Sequence, residues 1–300
     1  MSPEVTAAVI AASVSFLTLI GTLAAQYFGR RATSRDTAKT LDRTFAEQRE
    51  QLDETLAEQG KQLGRTLAEQ RTRTLNERFA TAAGQLGDDK PPTVRLAGVY
   101  AMAGLADDWP ENRQTCVDVL CGYLRMPYQP DPGQDAPDPE RLAFRASREV
   151  RHTVIRVITA HLKDDAAVSW QGLNFDFTGT VFDGGDFAGA VFSGGKVRFF
   201  GAEFSGGTVY FGGAVFSGGT VDFGGALFSG GEVRFGGARF DGSQVHFARA
   251  GFSGGTVSFS GAEFSGGTVD FSNAGDWSFP PAFPWTDTPP PGVKLPKKED

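Results

Sequence analysis

Residues 202–228 read AEFSGGTVYFGGAVFSGGTVDFGGALF, and this stretch decides the fold of the C-terminal third of the chain. Phenylalanine recurs in two interleaved series that each repeat every twelve residues, as in Phe211 and Phe223 or in Phe216 and Phe228. Valine stands two residues before one series and alanine two residues before the other. Because side chains two apart on a strand point to the same side, these pairs are predicted to point inward and the residue between them outward.

The predicted core of this region is a column of phenylalanine side chains. Their spacing is five residues up to Phe192 and then alternates between seven and five, because each Ser-Gly-Gly-Thr corner carries two extra residues. Stacked coils of this kind bury a continuous core that no single repeat could bury alone. The predicted inward residues are Phe177, Phe182, Phe187, Phe192, Phe199, Phe204, Phe211, Phe216, Phe223, Phe228, Phe235, Phe240, Phe247, Phe252, Phe259, Phe264 and Phe271.

The phrases LNFDFTGTVFDGGDFAGAVF and AEFSGGTVYF resemble the pentapeptide-repeat family, whose signature is an inward Leu or Phe every five residues with a small residue two before it. The resemblance implies a right-handed, four-sided β-solenoid. One coil would then hold two of the twelve-residue repeats, and it would stack Arg198, Asp222, His246 and Asp270 with opposite charges as neighbours. A coil of a single repeat avoids like-charge stacking as well, so both lengths remain open.

The N-terminal region, residues 1–31, is predicted to be a transmembrane anchor. Val5 to Phe28 are 24 residues without a charge, which as a helix measure about 36 Å against a hydrocarbon layer of about 30 Å. The alternative is a cleaved signal peptide, but such peptides begin with basic residues and this chain begins Met-Ser-Pro-Glu. Arg and Lys follow the span, so the chain is predicted to cross the inner (cytoplasmic) membrane once and to keep its C-terminal region in the cytoplasm.

Residues 32–77 are predicted to form a helical stalk with an eleven-residue repeat. The repeats TFAEQREQLDE, TLAEQGKQLGR and TLAEQRTRTLN begin at Thr44, Thr55 and Thr66. Eleven residues over three turns leave one apolar stripe on a long amphipathic helix. The stripe could lie against the protein's own domain, but it is longer than a small domain covers. A coiled coil, and hence a homo-oligomer, is therefore the favoured interpretation.

Residues 78–166 are predicted to form a small all-α domain, and the phrase VRLAGVYAMAGLA resembles a HEAT-type repeat over one helix. His152 and His161 lie near one face of the last helix. Because no Cys or second carboxylate is in phase with them, they are interpreted as partly buried or surface histidines rather than metal ligands. Cys116 and Cys121 are five apart on a helix, where they face different directions, and are predicted to be buried free thiols.

No catalytic, cofactor-binding or metal site is predicted. Residues 251–255 match the G-x-S-x-G motif of hydrolases, but Ser253 is the corner serine of the repeat, as are Ser205, Ser217 and Ser229. The hydrolase motif requires a strand-to-helix elbow with a His and an acid beside it. The phase of the repeat explains every residue of the match, so the chain is predicted not to be an enzyme.

The multi-domain chain is completed by the solenoid, residues 167–276, and by a cap and Pro-rich tail, residues 277–300. Trp277, Phe279, Phe283 and Trp285 are expected to cover the last coil, and the chain beyond Thr288 is expected to be flexible. The predicted function is a membrane-tethered cytoplasmic scaffold that presents the solenoid to an unknown protein partner and does not bind nucleic acid. The alternative is a DNA-mimic, gyrase-interacting protein that protects or inhibits the topoisomerase, an activity that the family resemblance implies.

The two functions require different distributions of charge on the solenoid. The chain has a net charge of −7, and residues 171–276 contain ten Asp or Glu against five Lys or Arg, interspersed rather than clustered. A DNA mimic requires dense acidic faces, so this composition favours the scaffold.

Overall fold

The computed structural model of the protein describes residues 35–87, 89–129 and 131–297. The chain divides into two compact units, residues 1–70 and 71–300. None of the helices in the described ranges combines the length and apolarity that a membrane crossing requires. The predicted anchor, Val5–Phe28, lies outside the described residues.

A single long helix, α1 (Arg35–Gln85), contains the three eleven-residue repeats. It continues beyond the expected end of the stalk at residue 77. The reason is that its apolar stripe continues as Phe79 and Ala82, which pack in the core of the second unit. The structure thus confirms that the repeat region is helical, whereas the association of this helix into a coiled coil stays a prediction.

Three more α-helices form the small helical domain: α2 (Pro92–Asp108), α3 (Arg113–Arg125) and α4 (Asp138–Leu162), with a 3-10 turn at Pro110–Asn112. Proline suits the first turn of α2 because the amide of that position has no helical acceptor. The apolar faces of these helices pack into one core with the end of α1. Cys116 and Cys121 are free and buried in this core, as predicted.

The rest of the second unit consists of short parallel strands, two or three residues long. The strands are β1 (Phe175–Asp176), β2 (Val181–Phe182), β3 (Gly185–Asp186), β4 (Val191–Phe192), β5 (Lys196–Arg198), β6 (Glu203–Phe204), β7 (Thr208–Tyr210), β8 (Val215–Phe216), β9 (Thr220–Asp222), β10 (Leu227–Phe228), β11 (Glu232–Arg234), β12 (Arg239–Phe240), β13 (Gln244–His246), β14 (Gly251–Phe252), β15 (Thr256–Ser258), β16 (Glu263–Phe264), β17 (Thr268–Asp270) and β18 (Val293–Lys294).

The strands form four parallel sheets, which are the four faces of a solenoid. Face A contains β1, β5, β9, β13, β17 and β18; face B contains β2, β6, β10 and β14; face C contains β3, β7, β11 and β15; and face D contains β4, β8, β12 and β16. Val197 pairs with Val221, two twelve-residue repeats later, and Val221 pairs with Val245 in the same way. The structure therefore confirms the coil of two repeats.

The first coil is shorter than the others. Phe175 pairs with Val197, and Val197 pairs with Val221. The sequence separation of the first pair is shorter by two residues. The reason is that the spacing of five persists through this coil and only one of its corners carries the two extra residues. Phe175 occupies the position that valine holds in the later coils and is buried. The sequence-based list of inward residues began at Phe177 and missed it.

The phenylalanine side chains stack along the solenoid axis in separate columns. Phe223, for example, lies between Phe199 and Phe247, with ring centroids 4.6 and 4.8 Å away and ring planes within 3° of parallel. All the phenylalanines predicted to point inward are at most 2% exposed, except Phe264. Phe264 lies at the end of the solenoid and is only partly buried, although Trp285 contacts it with the ring centroids 5.2 Å apart.

The C-terminal segment closes the last coil. Trp277 contacts Phe252 edge-on, and Phe283 stacks on Phe259, as expected of a cap. Phe279 is 55% exposed and is not part of the cap. The expectation of a flexible chain beyond Thr288 is wrong for β18, which pairs with β17. Its Val293 pairs with Val269 and thus continues the buried valine series by one more coil.

Candidate interaction surface

Face A carries a ladder in which aspartates alternate with Arg, His and Lys. Asp176 pairs with Arg198, and the predicted series Arg198, Asp222, His246 and Asp270 lies in register on successive coils. Lys294 extends the ladder, with its Nζ 3.4 Å from Oδ2 of Asp270. Burial alone would raise the pKa of Asp270, but hydrogen bonds from Ser272 and the charge of Lys294 hold it below its usual range.

The other three faces carry mixed outward residues. Arg234 of face C lies over the ring of Tyr210 at 5.6 Å, and Arg239 of face D lies 3.8 Å from Glu263. In the part of the solenoid that the structure describes, no face presents an unbroken row of acidic residues. The register positions between inward side chains are Val181, Glu203, Leu227 and Gly251 on face B; Asp186, Tyr210, Arg234 and Ser258 on face C; and Val191, Val215, Arg239 and Glu263 on face D, of which Val191 and Gly251 are buried.

An apolar edge, defined as Phe200, Gly224, Leu227 and Gly251, runs between faces A and B. Phe200 is 50% exposed and Leu227 is 43% exposed. A Cβ added to Gly224 would come within 3.2 Å of the Phe200 ring, and one added to Gly251 would come within 3.2 Å of the Leu227 side chain. Glycine on the following coil therefore makes room for each large side chain. The predicted alternation of apolar and polar residues missed this edge, although Leu227 visibly departs from it.

Arg249 lies on the coil that follows Leu227, at the same corner. Its φ is +59°, whereas the equivalent residues of the three preceding coils are glycines with φ between 62° and 65°. A left-handed backbone costs a residue with a Cβ about 1–2 kcal/mol. Such strain often marks functional positions, and this residue is also exposed. In the sequence, the signal was the loss of the corner glycine in Ala248-Arg249-Ala250.

The helical domain covers the first coil, which has no coil before it. Its polar side chains donate hydrogen bonds to backbone carbonyl groups of that coil, so these groups remain paired at the end of the solenoid. The pairs are Gln114 Nε2 with Asn174 O, Arg125 Nη1 with Asp176 O, Arg148 Nη2 with Asp183 O, Arg151 Nη2 with Val181 O and Thr159 Oγ1 with Asp186 O, at 2.5 to 3.0 Å.

A half-buried carboxylate, Asp183, is the centre of this junction. Its Oδ2 accepts hydrogen bonds from Tyr128 Oη and Arg148 Nε, both at 2.8 Å, and its Oδ1 lies 3.0 Å from His152 Nε2. Burial alone would raise the pKa of Asp183, but the hydrogen bonds from His152 and Tyr128 and the charge of Arg148 together lower it. Burial and the bond to Asp183 raise the pKa of Tyr128.

Asp183→Asn is expected to weaken the docking of the helical domain on the first coil. A carboxyl group whose folded-state pKa is lowered stabilises the fold above its unfolded pKa, about 3.9, and this contribution disappears as pH falls through the folded value. The variant should therefore be less stable at pH 7 and lose less stability on acidification below about pH 4. Denaturant titrations across pH measure both effects. Glu203→Gln, at an exposed position, is the control, and an acid limb that is unchanged by Asp183→Asn would contradict the assignment.

The second histidine of α4 has a similar structural environment. His161 Nε2 lies 3.1 Å from Asp107 Oδ2, and Trp170 Nε1 donates to Oδ1 of the same carboxylate at 2.9 Å. The His161 and Trp170 rings stack with centroids 3.9 Å apart. Each helical histidine therefore contacts one aspartate, consistent with the prediction of partly buried histidines. Across the described ranges, no group of three His, Cys, Asp or Glu side chains could hold a metal ion.

The hydrolase-like serine is a solenoid corner. Ser253 follows β14 and is exposed, and its backbone N–H donates to Phe228 O on the preceding coil at 3.2 Å. The chain has three histidines, of which His152 and His161 lie in α4 and His246 lies on face A. Neither the elbow nor the arrangement that the hydrolase motif requires is therefore built around Ser253.

Comparison with known proteins agrees with this geometry. Residues 177–226 match the family model described as Pentapeptide repeats (9 copies). No curated protein and no solved structure matches the chain significantly. The matched residues cover the first coils, and the same four-sided winding continues beyond them to β18. Residues 177–226 are thus similar to the pentapeptide repeats, and the β-solenoid that contains them extends from β1 to β18.

Proposed function

We propose that the protein is a membrane-tethered scaffold that holds its solenoid in the cytoplasm as a binding surface for another protein. The tether would be Val5–Phe28, and α1 would separate the solenoid from the membrane and associate with further copies. The pentapeptide-repeat solenoid is typically a non-catalytic fold, which supports a binding role. A rod with a stacked aromatic core is suited to this role because its faces keep a fixed spacing and lose little entropy on binding.

The observation that carries the proposal is the apolar edge with Arg249 beside it. Phe200 and Leu227 are large and half-exposed, and Arg249 is kept in a costly backbone conformation where glycine would be free of strain. Aromatic and arginine side chains are enriched in protein interfaces, and Leu227 adds apolar area beside them. The partner would offer an apolar side chain to Phe200 and Leu227 and a carboxylate to Arg249.

The charge distribution supports this role over DNA mimicry. A mimic has to reproduce the two rows of phosphates of a duplex, which requires rows of like charge. On face A the acidic residues alternate with Arg198, His246 and Lys294 instead of forming a row of like charge, and Lys294 forms an ion pair with Asp270. Face D pairs Arg239 with Glu263 in the same way.

Photocrosslinking tests the proposal. A benzoylphenylalanine would replace Leu227 in the full-length protein, produced in its native host, and Glu263 on face D would be the matched control. A discrete protein adduct from Leu227 that is absent from Glu263 is expected, and Arg249→Gly should weaken it without destabilising the solenoid. Equal adducts from both positions, or none from Leu227, would contradict the proposal. An adduct with gyrase would favour the DNA-mimic alternative.

A further inference from the structure

One face of α1 is apolar and exposed along the repeat region. Leu52, Leu56, Leu63 and Leu67 are 39, 52, 46 and 56% exposed. The same stripe is buried further along the helix, at Leu75 and beyond, where the helical domain packs against it. Leaving several leucines of one stripe in water is unfavourable, because burial of apolar surface is a main driving force of association. The upstream stripe is therefore a surface that a partner would stabilise by covering it.

Glutamine interrupts the stripe once in every repeat. Gln59 follows Leu56 by three residues and precedes Leu63 by four, so it lies on the same face of the helix as both. Gln48 and Gln70 hold the equivalent positions, eleven residues before and after. A polar residue that recurs within an apolar seam restricts the pairing of helices, because its amide must find a hydrogen-bonding partner at the same level.

The two edges of the stripe differ. One edge is Thr44, Thr55 and Thr66, which carry no charge; the hydroxyl groups of Thr55 and Thr66 donate to Gln51 O and Gln62 O of their own helix. The other edge is Arg49, Gly60 and Arg71.

The edges distinguish the two orientations in which a second copy could pair. Two parallel helices place the threonine edge of one against the arginine edge of the other. Antiparallel helices centred on Gln59 also align the glutamines, but they bring Arg49 close to Arg71 of the other copy. Like charges at that distance repel each other. The parallel pair is therefore the better fit.

We propose that residues 41–74 of α1 bind the same residues of a second copy in parallel and in register, with Gln48, Gln59 and Gln70 as polar layers between leucine layers. This inference rests on the self-association that is part of the proposed function, and a tether at the N-terminal end of each chain favours the same orientation. The consequence is functional. Parallel stalks bring two solenoids to the same end of the assembly, which raises the effective concentration of the second binding surface once the first is engaged.

Disulfide trapping in the full-length protein tests the orientation. Gln48→Cys and Gln70→Cys chains with tags of different mass are mixed, allowed to exchange and oxidised mildly with a copper catalyst. The parallel pair predicts dimers within each variant and none between them. Glu58→Cys, on the opposite side of the helix, is the control and should give little dimer. Dimers between the Gln48→Cys and Gln70→Cys chains, or efficient dimers of Glu58→Cys, would overturn the inference.

Sedimentation separates this inference from the proposed self-association. Wild-type protein is expected to sediment as an oligomer at about 10–100 µM, a working range for weak coiled coils, and the double variant Leu56→Asn, Leu63→Asn as a monomer. A monomeric wild type would overturn self-association itself, and the inference with it. An oligomer whose disulfides join the two variants would overturn only the parallel register. Neither result would affect the proposed binding role of the apolar edge, which the photocrosslinking experiment tests.

Discussion

Phe223→Ala is expected to destabilise the solenoid by about 3–5 kcal/mol, the usual cost of truncating a buried phenylalanine. Phe223 is fully buried and stacks on Phe199 and Phe247 of the neighbouring coils. Removing the ring leaves a gap in the middle of a column. A repeat array has contacts only between neighbours, so no distant part of the molecule shares the loss. Limited proteolysis should therefore cut within the solenoid before the helical domain.

Glu203→Ala is the control for this prediction. Glu203 lies on the adjacent face of the preceding coil, points outward and is exposed, so its truncation should change the free energy of unfolding by no more than about 0.5 kcal/mol. Asp222, although it is next to Phe223, would be a poor control, because its Oδ1 accepts a hydrogen bond from the Gly224 N–H at 2.8 Å. Equal denaturation midpoints for Phe223→Ala and Glu203→Ala would mean that the inward residues are wrongly assigned.

Gly219→Ala is expected to destabilise the solenoid by about 3 kcal/mol or more, from backbone strain and overpacking together. The φ of Gly219 is +68°, which a residue with a Cβ rarely adopts. A Cβ there would also lie 2.2 Å from the carbonyl oxygen of Gly195 on the preceding coil. This oxygen belongs to the backbone, so it cannot move away unless the two coils separate. Chemical denaturation of the variant measures the sum of both effects.

Gly213→Ala separates the two causes. Gly213 has nearly the same φ, +64°, but a Cβ there would meet nothing within 4 Å. Gly213→Ala should therefore lower the free energy of unfolding only by the cost of the left-handed backbone, about 1–2 kcal/mol. If both alanine variants lose the same stability, the close approach of successive coils at the Gly218-Gly219 corner is not what requires glycine there.

Periodicity made most of the solenoid predictable. The valine and alanine two residues before each phenylalanine indicated which side chains point inward, and this signal is local and strictly repeating. The charge pattern was compatible with coils of one or two repeats, and the strand register in the structure decides for two. Phe175 was missed because it replaces the valine of the pattern, and β18 was missed because the proline-rich segment before it has no repeat. β18 is stabilised by pairing with the edge of the existing sheet, and this tertiary contact cannot be predicted from the local sequence.

The candidate surfaces were less predictable because they depend on departures from the repeat. Arg249 replaces the corner glycine of the repeat, Phe200 stands where the later repeats have Gly, Ala or Ser, and Leu227 is an apolar residue at an outward position. Their arrangement becomes visible only after coils of two repeats are stacked. The junction around Asp183 joins residues that are 31 to 55 apart in sequence. Nothing in the pattern of α4 indicated that Arg148 and His152 would meet a corner of the first coil.

The assignment of residues to faces, on which the proposed surface depends, is tested most directly by disulfide pairs. Arg234→Cys with Ser258→Cys places the thiols two repeats apart on adjacent strands of face C, where Cα atoms are about 4.8 Å apart and a disulfide can form. Arg234→Cys with His246→Cys places them one repeat apart, on faces C and A.

The native thiols do not interfere, because burial raises the pKa of Cys116 to about 11 and that of Cys121 to about 12. We expect the bond only in the pair on face C, whose members are two repeats apart. A bond between the thiols one repeat apart, with none between those two repeats apart, would contradict the four-sided coil and every face assigned from it.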